Sequence, residues 1–249
     1  MQSSTCLRLQ NIVNRKIIAR FKYSLSTDVA SSRLKLAAIL YCSGYIHAAV
    51  RVLEDVERRY HSKVKAVCGC RRIPEDRDLE MFADMLPGHS DQGFIEPQFA
   101  FCVTFVRAER HCTPLIFLFE MNRNIDASEV DQRTYTEKEW MDFAEVDARP
   151  FLHYLQYLTF RRLGERSKQQ LSLSCLEYYI CDNRNKINLY HRETAYNLLG
   201  HCCEMEGEYN RAFYFYTESL RLCCKRNNAA NWHVLLLVWR LLKGPFHRF

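Results

Sequence analysis

The stretch from Thr194 to Arg226 constrains the fold most, because residue type and spacing there together specify an arrangement of helices. Tyr196, Leu199, Gly200 and Cys203 recur at helical spacing. Gly207 and Tyr209 break and restart the chain, and Ala212, Tyr216 and Ser219 fall on one face of a second helix. The pattern predicts a helical hairpin. Gly200 and Ala212 are small enough to let two antiparallel helices approach, with Tyr196, Leu199, Tyr209 and Tyr216 filling the volume around that contact. Gly207 supplies the left-handed residue that the turn requires. One such unit cannot bury its own apolar faces, so helical neighbours are expected.

This stretch resembles a single tetratricopeptide repeat, with an aromatic and a Leu-Gly pair on the first helix and Ala, an aromatic and a small residue on the second. It departs from the pattern at Cys203, where the repeat has an aromatic, and at Cys224, where it has Pro. The resemblance implies that the first helix lines a concave surface formed by Thr194, Asn197, His201 and Glu204. Side chains of that kind would hydrogen-bond a peptide, or merely solubilise the face. Ser31 to His61 repeats the logic in weaker form, with Gly44 followed by Ala49, Leu53 and Val56 as Gly207 is by Ala212, Tyr216 and Ser219. A third hairpin is expected around Gly164, between the Phe151–Leu158 and Leu171–Tyr179 apolar stripes, without the repeat's Ala.

The chain has 249 residues, of which only 8 are Gly and 6 Pro, which favours helices over a turn-rich sandwich or barrel. The formal charge of +6 is spread along the chain and is too mild for a nucleic-acid signature. Twelve cysteines without a secretory leader imply reduced thiols in the cytosol, where Cys packs as a small hydrophobe. No apolar run reaches the roughly 18 to 20 residues needed to span a bilayer.

These features divide the chain into four parts. Residues 1–30 form a basic amphipathic segment, with Leu9, Val13, Ile17 and Phe21 every four residues and no acid before Asp28. A first solenoid helix fits it, and so does a mitochondrial presequence. Residues 31–61 are the degenerate repeat. Residues 62–149 are an irregular helical insertion, with helices expected at Asp76 to Met85, Pro97 to Arg110 and Leu115 to Met121. Capping boxes fall at Asp126 with Glu129 and at Thr136 with Glu139. Residues 150–243 hold the hairpins and a closing helix with Trp232, Leu235, Leu236, Trp239 and Leu242.

The segments RVLEDVERRYHSKVKAVCGC, FEMNRNI, AEVDARPFLHYLQYL, INLYH and NNAANWH lie between Arg51 and His233. With them, the run from about Arg33 to Trp239 resembles the C-terminal helical region of cyclic GMP-AMP synthase-like proteins of the male-abnormal-twenty-one nucleotidyltransferase family. The resemblance implies a regulatory or interaction region detached from a catalytic core. The core's chemistry needs a Gly-Ser turn followed by alternating carboxylates on a strand, to hold two metal ions. Glu129-Val130-Asp131 and Glu145-Val146-Asp147 have the alternation but no such turn upstream, and both are expected on helices, where they would diverge by about 200°. Gly88-His89-Ser90 lacks the carboxylates.

Cys68, Cys70, His111 and Cys112 are the metal candidates. Cys-x-Cys is too close for the usual structural zinc spacing, an adjacent His-Cys pair strains a tetrahedron, and His201-Cys202-Cys203 does not reproduce the family's zinc ribbon, so no metal is expected. Arg71-Arg72, Arg161-Arg162 and Lys225-Arg226 are interleaved with acids and read as solvated faces. Phosphate loops, zinc-protease helices and nucleophile elbows are absent from the sequence. The expectation is an all-α solenoid that binds a protein or peptide without cofactor or catalysis, in the cytoplasm, or in mitochondria if the basic start is a presequence.

Overall fold

The computed structural model describes residues 25, 28–61, 63–68, 98–123, 143–222 and 228–243, and the structural statements below concern these. The basic segment before Leu25, the helix expected at Asp76 to Met85, both capping boxes, Gly88 to Ser90, Glu129 to Asp131, Cys70, the Arg71-Arg72 pair and the Cys224 to Arg226 stretch lie outside them.

The described chain is mostly helical. Helices α1 (Ser31–Cys42) and α2 (Ile46–Arg59) form one hairpin, and strands β1 (Lys65–Val67), β2 (Phe99–Phe101) and β3 (Val103–Val106) follow. A 3-10 segment, Arg107–Cys112, and the short helix α3 (Ile116–Met121) precede β4 (Phe143–Val146). Hairpins α4 (Ala148–Leu163) with α5 (Arg166–Cys181) and α6 (Arg192–Glu206) with α7 (Tyr209–Leu222) then lead to α8 (Ala230–Lys243), which packs on α6 and α7. Helix α4 is central. It touches α1, α2, α5 and α6, and every residue from Pro150 to Phe160 is buried.

The three hairpins turn in one way. At Gly44, Gly164 and Gly207 φ is 82°, 73° and 80°. In each, the glycine N–H donates to the carbonyl three residues back, and the following N–H to the one five back: Tyr45 to Leu40, Glu165 to Phe160, Glu208 to Cys203. This double closure satisfies the last carbonyls of each first helix, and the left-handed φ explains why glycine stands at each turn. Five, nine and twelve residues after each glycine lie buried positions: Ala49, Leu53 and Val56; Gln169, Leu173 and Leu176; Ala212, Tyr216 and Ser219. Gln169 thus occupies the place of the missing Ala. Its amide donates to Glu206 Oε1 at 2.6 Å, and the same carboxylate accepts the Tyr157 hydroxyl at 2.7 Å, joining α4, α5 and α6.

The middle of the chain differs from expectation. Helix was expected over Pro97 to Arg110, but β2 and β3 occupy half of it and the 3-10 segment its end. β1 pairs with β2 in parallel and β3 with β4 antiparallel, in register Val103 to Val146 and Phe105 to Ala144. The physical reason is an alternation inside the apolar run. Val103 and Phe105 face the core while Thr104 and Val106 are half-buried, a period of two. Glu145 and Asp147 are likewise not on a helix, since Glu145 lies in β4 and Asp147 is the residue before α4. Asp28 ties the sheet to the first hairpin by accepting the backbone N–H of Ser31 at 3.0 Å and of Phe101 at 2.8 Å. One hydrophobic cluster runs from Val29 to Leu237 across strands and helices alike. Among the described residues, no helix is long and apolar enough to cross a membrane.

Candidate functional site

The four residues expected to line a peptide groove do not face an open groove. Thr194, Asn197 and Glu204 are buried and His201 is half-buried. Asn197 Nδ2 donates to Glu120 Oε1 of α3 at 2.8 Å and to Asn228 Oδ1 at 3.3 Å. Glu204 accepts the Tyr216 hydroxyl at 3.0 Å and pairs with Arg240 of α8. The Tyr154 hydroxyl of α4 lies 2.9 Å from His201 Nδ1. Thus α3, α4 and α8 fill this face. Asn228 fixes the covering helix, accepting the Ala230 N–H at 2.9 Å while donating to the Ser219 carbonyl at 2.8 Å. Because Asn197 is wholly buried, Asn197→Ala should lower stability by about 1–3 kcal/mol through the partners it strands. Equilibrium urea unfolding measures this, and a loss of binding without a loss of stability would contradict it.

Among the repeat-defining residues, Gly200 packs directly against the ring of Tyr216. A Cβ at Gly200 would lie 2.6 Å from Cε1 of the Tyr216 ring, so the glycine admits that ring between the helices. Leu199 and Ala212 are fully buried, and Tyr196 is stacked on Phe215 with centroids 6.2 Å apart. Tyr209 is 40% exposed, so it is less buried than Leu199, Ala212 and Tyr216.

Among the described residues, the outer side of α8 is an exposed apolar face. Leu235, Val238 and Leu242 are 61%, 41% and 81% exposed, at spacings of three and four, with Leu241 and half-exposed Trp239 beside them. Leu235, Val238 and Leu242 lie opposite Leu237 and His233, which face the core. The helix therefore carries apolar residues on both sides, as a helix does when it is packed from both.

A second site lies where strands and helices meet. Cys68 follows β1 and Cys102 follows β2, one step beyond the Val67–Phe101 pair, so the parallel register brings the two thiols side by side. His191 stands just before α6, and its Nε2 is 3.2 Å from Cys68 Sγ and 3.8 Å from Glu145 Oε2. The donor atoms of Cys68, Cys102 and His191 all lie within 4.8 Å of one another. Asp147 accepts the backbone N–H groups of Tyr190 and His191 at 3.0 and 2.9 Å, which aims the imidazole, and Cys102 Sγ lies 3.6 Å from its Oδ1. Burial raises the Asp147 carboxyl above its ordinary range, against the nearby imidazole and the two backbone donors. For His191 burial works against the charged form, but Cys68, Asp147 and Glu193 outweigh it and its pKa is raised. This set can hold a soft or borderline metal ion through two sulfurs, a nitrogen and a carboxylate.

Of the expected metal candidates among the described residues, Cys68 takes part and His111 and Cys112 do not. Cys112 is buried near Cys42, whose thiol burial pushes up to about 12 with a further contribution from Cys112. Exposed His111 accepts from Arg110 Nε at 3.2 Å. Cys68 and His191 are 123 positions apart, so no local motif announces the pair. Glu145 and Asp147 do turn towards one site, which corrects the helical geometry expected for them, but they are 5% and 1% exposed and sealed among thiols and imidazole. The Arg161-Arg162 pair is engaged by protein: Arg161 Nη1 donates to the Met205 carbonyl at 2.9 Å, and Arg162 Nη1 to that of Tyr41 at 3.3 Å.

No family model matches the chain, and neither a curated protein nor a solved structure matches it significantly.

Proposed function

We propose that the chain is a non-catalytic protein-interaction module built of tetratricopeptide-like hairpins, and that it docks a partner on the outer face of α8. The observation that carries this is the exposed row Leu235, Val238 and Leu242. Helices α1, α4 and α6 each pair with an antiparallel successor, and α8 has none among the described residues. In an array of hairpins the position beside α8 belongs to a second helix. The partner is therefore an amphipathic helix whose apolar stripe completes the fourth hairpin, the helix-in-groove mode of recognition. The shared turn geometry at Gly44, Gly164 and Gly207 supports the repeat reading. This relocates the binding surface from the first helix of the last hairpin, which the chain itself covers, to the helix that covers it.

Leu235→Glu/Leu242→Glu is expected to keep the unfolding midpoint and to weaken partner capture at least about tenfold, or about 1.4 kcal/mol. Quantitative crosslinking in cells against the wild type measures this. An unchanged partner set, or capture that falls steeply with salt, would place binding elsewhere, the latter on the basic faces.

A second reading is that the chain is part of a nucleotidyltransferase-like sensor. It is favoured by the alternation of Glu145, in a strand, and Asp147, just after it, which turn towards one site. Incubating the full chain with nucleoside triphosphates and magnesium tests it. Any transfer product would remove the non-catalytic assignment.

A further inference from the structure

We propose that Cys68, Cys102, His191 and Glu145 form a structural zinc site. The inference goes beyond the interaction reading and does not depend on it. Around tetrahedral zinc, with about 2.3 Å to sulfur and about 2.0–2.1 Å to nitrogen or oxygen, neighbouring donors stand about 3.3–3.8 Å apart. Here Cys68 Sγ and His191 Nε2 are 3.2 Å apart, His191 Nε2 and Glu145 Oε2 are 3.8 Å apart, and the three sulfur and nitrogen donors lie within 4.8 Å of one another. For the three sulfur and nitrogen donors a contraction of about an ångström or less reaches these spacings, and Glu145 joins as the fourth from the His191 side.

The strongest single indication is Glu145 Oε2. It is buried with no hydrogen-bond partner, in a residue 5% exposed, and the polar neighbour it approaches is the imidazole nitrogen aimed at the same point. The other oxygen, Oε1, accepts the Thr104 hydroxyl at 3.3 Å, so Oε2 alone is left unmatched, and a cation at that point would satisfy it. Two sulfurs and an imidazole select zinc over magnesium or calcium, whose shells are oxygen. On binding, the two thiols lose their protons to solvent and the ion takes both thiolates. Asp147 acts one layer out by fixing the backbone of Tyr190 and His191.

Cys68 and His191 are 4% and 3% exposed and Cys102 is half-buried, and with protein in all four positions the site is structural. It explains how strands as short as β1 and β2, three residues each, hold their place: the ion ties the end of each to β4 and to the start of α6.

The test is the metal content of the full chain purified under reducing conditions, followed by cobalt(II) substitution. About one zinc per chain is expected, as is a cobalt form with thiolate charge-transfer and tetrahedral visible bands. Cys68→Ser and Cys102→Ser should each lower the zinc content at least about tenfold and weaken the charge-transfer band. The control Cys42→Ser should leave both unchanged. Should the ligand variants fail to fold, the cobalt spectrum of the wild type decides alone. A wild-type chain without zinc and without thiolate charge transfer would overturn the proposal, as would a Cys68–Cys102 disulfide found by mass spectrometry in the reduced preparation.

Discussion

Lowering the pH from about 7.5 to about 5.5 is expected to remove about 3 kcal/mol of unfolding free energy, a large share of a typical domain's 5–15 kcal/mol. The cause is a pair of histidines buried in the neutral form. His153 is held down to about 4 by burial, with Arg149 adding to the effect and a bond to Gln156 opposing it. His233 is held down to about 3 by burial and by His201. It stacks on Tyr216 with centroids 4.9 Å apart, and its Nε2 is buried without a hydrogen-bond partner, so a proton there would place a charge where nothing solvates it. Both folded-state values lie below the unfolded value of about 6.5. The unfolded chain therefore takes up protons that the folded chain refuses. The stabilisation is complete above about 6.5 and fades as the pH falls towards about 4 and 3, at about 1.4 kcal/mol per pH unit for each group. His201, half-buried between Arg240 and Arg161, adds in the same direction. Urea titrations across this range measure the slope. His233→Gln should reduce the slope by about 1.4 kcal/mol per pH unit, and a wild-type stability that stays flat would contradict the burial of both rings.

The hairpins were legible in the sequence because their turn needs a glycine and their packing needs small or apolar residues at fixed distances after it. Gly44 and Gly207, with Ala49 and Ala212, carry that requirement openly. The strands were not legible, because elements of three or four residues give a periodicity of two too little length to outweigh a long apolar run. Phe99 to Val106 reads as one face of a helix until Thr104 and Val106 are seen to point away from the core. The groove was misplaced for a different reason. Asn197 and Glu204 look like surface groups in isolation, and only a partner more than thirty residues away in sequence, such as Asn228 or Arg240, reveals them as members of a buried polar network. The Cys–His–Glu cluster is the extreme case, since its spacing exists only in space. The legible part was the Cys68-Gly69-Cys70 stretch, whose proposed partners Cys102, Glu145 and His191 come from three other elements.

At Gly200 the structure makes a prediction whose sign runs against helix propensity. Alanine is the better helix former by about 1 kcal/mol, so at an open helical site Gly→Ala stabilises. Here the added carbon would stand 2.6, 2.8 and 3.0 Å from Cε1, Cδ1 and Cζ of Tyr216. That ring cannot yield cheaply, because it is fully buried, its hydroxyl is bonded to Glu204, and one face lies against His233. Gly200→Ala is therefore expected to destabilise by about 1–3 kcal/mol, and Gly200→Val by more than about 3 kcal/mol, as α6 and α7 are pushed apart. Chemical unfolding gives both values. The pair Gly200→Ala/Tyr216→Leu should cost less than the sum of its single changes by about 0.5–3 kcal/mol, because the smaller side chain relieves the clash. A stabilising Gly200→Ala would mean that the two helices do not approach this closely, and the hairpin packing that positions α8 and its exposed face would fall with it.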